Sequence, residues 1–429
     1  MPDWLGGFEM APSPADLGFD PAGIERLRAY MADMVEAGRI AGGAFVLLRH
    51  GQVAALDCVG EASLKTRRPI RPDTLYRIYS MTKPVTAVAM MQLYEQGLWT
   101  LDDPVTRFLP QLSKLRVCMD VDAAGAMITE PASRSPKIRE VMSHTAGFGY
   151  GLFDQHPVDR AVYGSAVLHA PDLPTMIDRL ADIPLMFEPG TEWSYSVSSD
   201  VLGRLVEVIS GQSLPDYFRD HIFAPLGMVD TGFHVPPEKL DRLADIYTAG
   251  PDGRLEEART LFGFPIIDFT RPPTLPLGGG GLVSTAWDYA RFCQMILNRG
   301  ELDGVRLLKR ETVDLLTTNQ IPDAVLARPN PARLLPFGPA FGFTLGFSIM
   351  LDPAAVGAVE GRGTLAWGGG GGTWFWIDPQ NDLIFVGLIQ RMADPVSAEF
   401  RTVARQLTYD ALIDRGAPKP RKSHDHPVP

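Results

Sequence analysis

Hydrophobic positions along the chain change period twice. From Asp20 to Gly38 the apolar residues Ile24, Leu27, Tyr30, Met31 and Met34 recur at three- and four-residue spacing, which predicts an amphipathic helix. Two apolar runs follow, Ala44–Leu48 and Val53–Cys58, parted by His50-Gly51-Gln52, and they predict a β-hairpin. A second such pair comes near the other end, where Thr373–Ile377 and Leu383–Ile389 flank the turn-rich Asp378-Pro379-Gln380-Asn381-Asp382. Between them the pattern is mostly helical, over Ile138–Met142, Thr175–Ala181, Ser199–Ile209, Leu214–Phe223 and Ala286–Asn298, with loops rich in Gly and Pro. The economical architecture is α+β: an antiparallel sheet built from both termini, flanked by helices and interrupted by a mostly helical insert. We expect 1–110 and 270–429 to form the sheet-bearing domain and 111–269 the helical one, with Gly263–Gly281 as the return linker. The tail 417–429 holds too little apolar surface to pack, so disorder is expected there.

The composition is that of a folded globular chain: of 429 residues, 45% are hydrophobic and 21% charged. The 40 basic and 51 acidic residues give a net charge of −11 without a long single-sign block, so nucleic acid is not an expected partner. No apolar stretch approaches the ~18 residues that span a bilayer, and the first residues lack the basic start and apolar run of a secretory signal. Cys58, Cys118 and Cys293 are scattered and odd in number, which fits neither a disulfide framework nor a metal-ligand spacing. The expectation is a cytoplasmic protein with no membrane partner, no metal and no cofactor. Nothing in the pattern bears on oligomeric state.

Chemistry enters at Arg77-Ile78-Tyr79-Ser80-Met81-Thr82-Lys83-Pro84, which opens a long apolar helix through Val85, Val88, Met91 and Tyr94. A helix tolerates proline only in its first turn, so the helix must begin at about Ser80. That puts Ser80 at the positive end of the helix dipole with its backbone N–H free. Lys83 lies one turn on, along the same face. A serine and a desolvated amine so placed are the minimum for nucleophilic catalysis, because the amine can accept the hydroxyl proton. Taken alone, the same residues fit an N-cap serine and a solvated lysine.

Further motifs resolve the choice. The run Phe187-Glu188-Pro189-Gly190-Thr191-Glu192-Trp193-Ser194-Tyr195-Ser196-Val197-Ser198-Ser199-Asp200 leads into a helix, and here the chain resembles the β-lactamase-like serine hydrolases. The resemblance covers most of the chain, including Glu140–Phe148 (with His144-Thr-Ala-Gly147), Pro225–Met228 and Gly279–Thr285. It implies that Tyr195 faces Ser80 and Lys83 as a third catalytic residue. Where β-lactamases carry Lys-Thr/Ser-Gly, this chain has Trp367-Gly368-Gly369-Gly370-Gly371-Gly372-Thr373, which is similar to family VIII carboxylesterases. By that likeness, the backbone N–H groups of Ser80 and Gly370 form the oxyanion hole. Trp367, Gly368, Gly369, Val197 and Tyr79 are the expected substrate-binding positions.

Val197 departs from the β-lactamase pattern, since an asparagine stands there in Tyr-x-Asn. Losing it together with the third-motif lysine removes two polar anchors for a penicillin-like substrate, while valine and tryptophan suit an apolar ester. The expected partner is therefore a small-molecule ester of short to medium acyl length. Three alternatives stay open: an amide-directed β-lactamase or D-aminopeptidase, an acyltransferase, and a non-catalytic ligand-binding homologue. The chain has no Gly-x-Ser-x-Gly elbow, no His-Glu-x-x-His and no phosphate loop. His144 is expected to make a structural hydrogen bond, and Gly278–Gly281 to shape the edge of the site.

Overall fold

The computed structural model describes residues 7–152, 156–261, 263–327, 340–392 and 394–414. The expected disordered tail, 417–429, lies outside them.

The two apolar hairpins form as β1 (Gly42–Arg49) with β2 (Gln52–Ser63), and β6 (Thr373–Asp378) with β7 (Leu383–Ile389). Their inner strands pair with each other, Leu383 opposite Arg49 through Ile389 opposite Gly43, so the two ends of the chain close one antiparallel sheet. The sheet is extended beyond β6 by β5 (Leu365–Gly369), β4 (Ser348–Met350) and β3 (Phe341–Phe343). Glu9–Met10 adds a short parallel edge beside β2, and Arg68–Pro69 pairs antiparallel with the last residues of β2, making the sheet mixed and nine-stranded.

Both faces are covered, which is why the inner strands read as unbroken apolar runs rather than alternating ones. Successive side chains point to opposite faces. Ala44, Val46 and Leu48 join the main core, while Phe45 and Leu47 join a second layer with Ile24, Met31, Phe400 and Tyr409. That second layer is supplied by α1 (Pro21–Glu36) and α5 (Pro395–Ala411).

On the other face lies α2 (Thr82–Glu95), apolar nearly all round and correspondingly buried, with eleven of its fourteen residues enclosed. It packs against α3 (Ser198–Ser210) of the insert, and α4 (Ala286–Leu297) lies on β1 and β7. Thr285 caps α4 by accepting the Asp288 N–H at 3.2 Å.

Residues 111–269 are less uniformly helical than their pattern suggests. Arg116–Val121 pairs with Met127–Pro131, Tyr247–Ala249 with Leu255–Glu257, and Thr260–Leu261 with Phe264–Pro265. Most of these strands are two or three residues long, and Met127–Pro131 lies half-buried to exposed and ends in proline, so none carries an apolar run. Leu214–Phe223 is also not one α-helix: it is α-helical to Phe218 and continues as a π-helical turn, Arg219–Phe223, before Gly227 stops it at φ +65°. No helix among the described residues is long and apolar enough to cross a membrane.

Candidate active site

Ser80 sits in a single 3-10 turn, Tyr79–Met81, that leads into α2, so Lys83 and Pro84 fall in the helix's first turn where a missing N–H is harmless. The turn and the helix are capped by Ile78 and Met81, neither through its side chain, so Ser80 caps neither. Its Oγ instead accepts from Lys83 Nζ at 3.2 Å and from Tyr195 Oη at 2.7 Å. Tyr195 comes from the loop before α3, 115 residues away in sequence. Lys83 is 2% exposed, which removes the solvated-lysine alternative.

Nζ of Lys83 has two further partners: Gly279 O at 2.6 Å and Tyr150 Oη at 3.2 Å. Ser80, Gly279 and Tyr150 thus surround the amine with three polar partners. The Tyr195 and Tyr150 rings lie 4.6 and 5.3 Å from the same nitrogen, close enough for cation–π attraction.

The glycine loop before Val283 thus holds the lysine. Gly279 O accepts from Lys83, and its N–H donates to Asp200 Oδ1 at 2.8 Å, while Gly278 O accepts from Thr86 Oγ1 at 2.7 Å. Asp200 is buried in the first turn of α3; burial pushes its carboxyl up to about 6, opposed by the Lys83 charge and the Gly279 N–H. Burial also raises the Tyr150 phenol well above its usual value, with the Tyr195 and Asp200 charges adding to it.

Sequence reasoning passed over both residues. Asp200 closes the motif already singled out. Tyr150 lies in Gly149-Tyr150-Gly151, where the flanking glycines are the one visible sign of close packing.

Trp367 stands on β5, half-buried, with its ring 5.3 Å from those of Tyr195 and Phe343. Gly368 faces the other way, towards Arg401 of α5: a Cβ there would stand 3.1 Å from the guanidinium. The pentaglycine is no floppy loop. β5 runs to Gly369, which pairs with Thr373, and Gly372 closes the turn by donating to Gly369 O at 3.0 Å with φ +84°.

The turn is pressed against the residues preceding Ser80. A Cβ on Gly369 would lie 2.3 Å from Ile78 O, and one on Gly371 would lie 3.1 Å from the Tyr79 ring. Gly370 is therefore bracketed between two contacts to the residues that lead into Ser80. Ser80, Trp367, Gly369 and Gly370 are all half-exposed, a lining that a small molecule could touch, whereas Gly368 lies on the opposite face.

Tyr79 is buried at 4% exposure, and Val197 is wholly buried, its N–H donating to Gly149 O at 3.1 Å. Both back the site rather than line it in this structure. His144 is also buried, its Nδ1 3.1 Å from Ser196 Oγ and its ring 5.1 Å from that of Tyr195. Burial, with the Lys83 charge, drives its pKa well below the ordinary value, so it is neutral.

A separate cleft of about 580 Å³, between the end of α1 and the Tyr247–Glu257 hairpin, shares no lining residue with this site. Among the described residues no three of His, Cys, Asp and Glu gather as a metal site would require.

A two-faced sheet with a buried central helix opening at a Ser-x-x-Lys turn defines a serine hydrolase with the β-lactamase and penicillin-binding-protein fold. The family model for β-lactamase matches residues 27–410, and the chain belongs to that family. Protein Rv1367c of Mycobacterium tuberculosis (strain ATCC 25618 / H37Rv) is 36% identical over 371 residues, covering 86% of this chain and 90% of the relative. Esterase EstB of Burkholderia gladioli is 30% identical over 416 residues, covering 92% and 98%. Among solved structures, EstCE1, "a hydrolase with promiscuous acyltransferase activity", superposes with a TM-score of 0.75 at 27% identity, covering 90% of this chain and 98% of that one.

Proposed function

We propose that the protein is a serine carboxylesterase acting on short to medium acyl esters through an acyl-enzyme on Ser80. The observation that carries this reading is the hydroxyl of Ser80 held between Tyr195 Oη at 2.7 Å and a buried Lys83 Nζ at 3.2 Å, with Trp367 beside them where amide-directed relatives have a cation. Lys83 and Tyr195 together accept the Ser80 proton as Oγ attacks the acyl carbon. The N–H groups of Ser80 and Gly370 hold the oxyanion. The alcohol departs with a proton from Tyr195, and water then attacks the acyl-enzyme by the reverse proton route. The steps call on no metal or cofactor.

In this reading the site forms where the two parts of the chain meet. Residues 1–110 and 270–429 supply Ser80, Lys83 and Trp367, and 111–269 supply Tyr150 and Tyr195. The three free cysteines suit a reducing, cytoplasmic setting.

A penicillin would bring a carboxylate against Trp367, and burying it without a cation costs several kcal/mol. Arg401 does not answer that need, since it reaches β5 at Gly368, on the face opposite Trp367. We therefore expect kcat/KM for p-nitrophenyl butyrate to exceed that for benzylpenicillin at least ~1000-fold, about 4 kcal/mol of discrimination. Ser80→Ala should abolish ester turnover while leaving the fold intact, since Ser80 makes no helix-cap bond, and a fluorophosphonate should leave its adduct on Ser80 by mass spectrometry. Similar constants for the two substrates, or an adduct elsewhere, would sink the reading.

Acyl transfer to an alcohol is the second reading. It is favoured by EstCE1 and by the monacolin J acid methylbutanoyltransferase of Aspergillus terreus, 30% identical over 356 residues. It differs only in what attacks the acyl-enzyme. Turnover of the same ester in the presence of a small alcohol, with the new ester quantified against free acid, separates the two.

A further inference from the structure

One buried side chain outside the Ser80–Lys83–Tyr195 cluster ties together two distant segments of the site. Gln390 follows the end of β7 and is 5% exposed. Its Oε1 accepts the Arg77 N–H at 3.0 Å, and its Nε2 donates to Arg77 O at 3.2 Å. The amide pairs with the peptide groups of Arg77 as a neighbouring strand would. The same Nε2 lies 2.9 Å from Ile389 O and 3.4 Å from Gly371 O. One primary amide thus spans from the strand three residues before Ser80 to the turn one residue after Gly370. Its own backbone is held in turn, because the Tyr247 N–H donates to Gln390 O at 2.9 Å.

The segment it steadies is under strain. Tyr79, immediately before Ser80, has φ +40°, a region that a bulky L-residue adopts only when its surroundings over-determine it. The direction of the Ser80 N–H follows from that peptide. Tyr79 is held by the Gly371 backbone beside its ring and by Phe269 edge-on at 6.3 Å. Each of the two N–H groups assigned to the oxyanion therefore has as its neighbour a residue, Tyr79 or Gly371, in a segment that Gln390 links.

We propose that Gln390 is a positioning residue for the oxyanion hole: it sets the separation of the Ser80 and Gly370 N–H groups without meeting the substrate. This rests on the esterase reading above. A residue acting in this way matters where negative charge develops on the acyl oxygen and hardly at all in the ground state.

Gln390→Met keeps the bulk and removes both amide functions. With p-nitrophenyl butyrate, kcat should fall about 10- to 100-fold and KM should stay within about threefold, the range expected when hydrogen-bond donors are misplaced rather than deleted. The Ki of an alkyl trifluoromethyl ketone, which forms a tetrahedral adduct, should rise by the same factor as kcat/KM falls. The affinity of the matching methyl ketone, bound without an adduct, should not change. If the methionine variant does not fold, Gln390→Asn, one methylene short of Arg77, gives the same readouts.

A folded variant with kcat and trifluoromethyl ketone Ki within about twofold of the unaltered protein overturns the proposal. So does an equal loss of methyl ketone affinity, which would signal a collapsed pocket. Fluorophosphonate labelling of the unaltered protein separates the two levels. Failure to label Ser80 overturns the esterase reading, whereas labelling of Ser80 with unchanged Gln390→Met constants overturns only the role of Gln390.

Discussion

The Lys83 amine is taken almost wholly out of water, which costs several kcal/mol unless its polar atoms are answered. A carbonyl at 2.6 Å, a serine and a tyrosine hydroxyl at 3.2 Å each, and two aromatic faces answer them. The amine is thereby aimed at Ser80. Lys83→Ala and Tyr195→Phe should each lower kcat by roughly a hundredfold or more, the scale of a general-base contribution. The double variant should lose far less than the product of the two, because groups acting as one unit are non-additive. Near-full activity of Tyr195→Phe, with unchanged binding, would make that tyrosine a packing residue. At this scale Ser80 and Lys83 were readable because one helical turn separates them. Tyr150 was not, because its contact with Lys83 spans 67 residues and no local spacing marks it.

Among the elements, β5 and its glycine turn fit closely against the lead-in to Ser80. Gly369→Ala would place a Cβ 2.3 Å from Ile78 O, backbone against backbone, so either the turn or the lead-in to Ser80 must move. We expect ester turnover to fall at least ~100-fold, the effect of a displacement near 1 Å, with a stability loss of about 1–3 kcal/mol from overpacking. Gly164→Ala, at the end of a short helix with nothing within 4 Å of the new Cβ, should leave both unchanged. Equal behaviour of the two variants in a kinetic and thermal-unfolding comparison would contradict this account. The runs that became β1, β6 and β7 were legible because strands buried on both faces must be apolar throughout, and β2, only partly buried from Leu56 on, showed its run at Val53–Cys58. β3 and β4 were not, since three residues each cannot show a period, and the pairing of β4 with β5 and of β3 with β4, rather than local sequence, makes them strands.

Across the whole molecule, two enclosed carboxylates tie stability to pH. Burial pushes both Asp200 and Asp288 up to about 6 from an ordinary 3.8. Between those values the folded protein keeps protons that the unfolded chain releases, so each group's contribution to stability is highest below pH ~4, falls as pH rises through about 6, and is level above. Asp288 accepts from the Asp230 N–H and Thr231 Oγ1 at 2.8 Å each, bonds that an asparagine oxygen can keep. The urea-unfolding free energy of the unaltered protein minus that of Asp288→Asn should therefore decline between pH 4 and 6, by up to ~3 kcal/mol for a shift of two pKa units. A flat or rising difference would show that Asp288 ionises in the native state as it does when unfolded.

What neighbours along the chain can specify was present before any folding: the helix through Met91, the apolar hairpins near both ends, and a serine one turn from a lysine at a helix entry. Each depends on spacings of two to four residues, which propensity and burial read directly. Folding alone could join the hairpin at Gly42 to the one ending at Ile389, or carry Gly279 across 196 residues and Tyr195 across 115 to the same few ångströms. Those meetings follow from how the sheet closes and how the insert packs on α2. A residue such as Gln390, which acts by bridging strand to turn, has no signature until its partners are beside it.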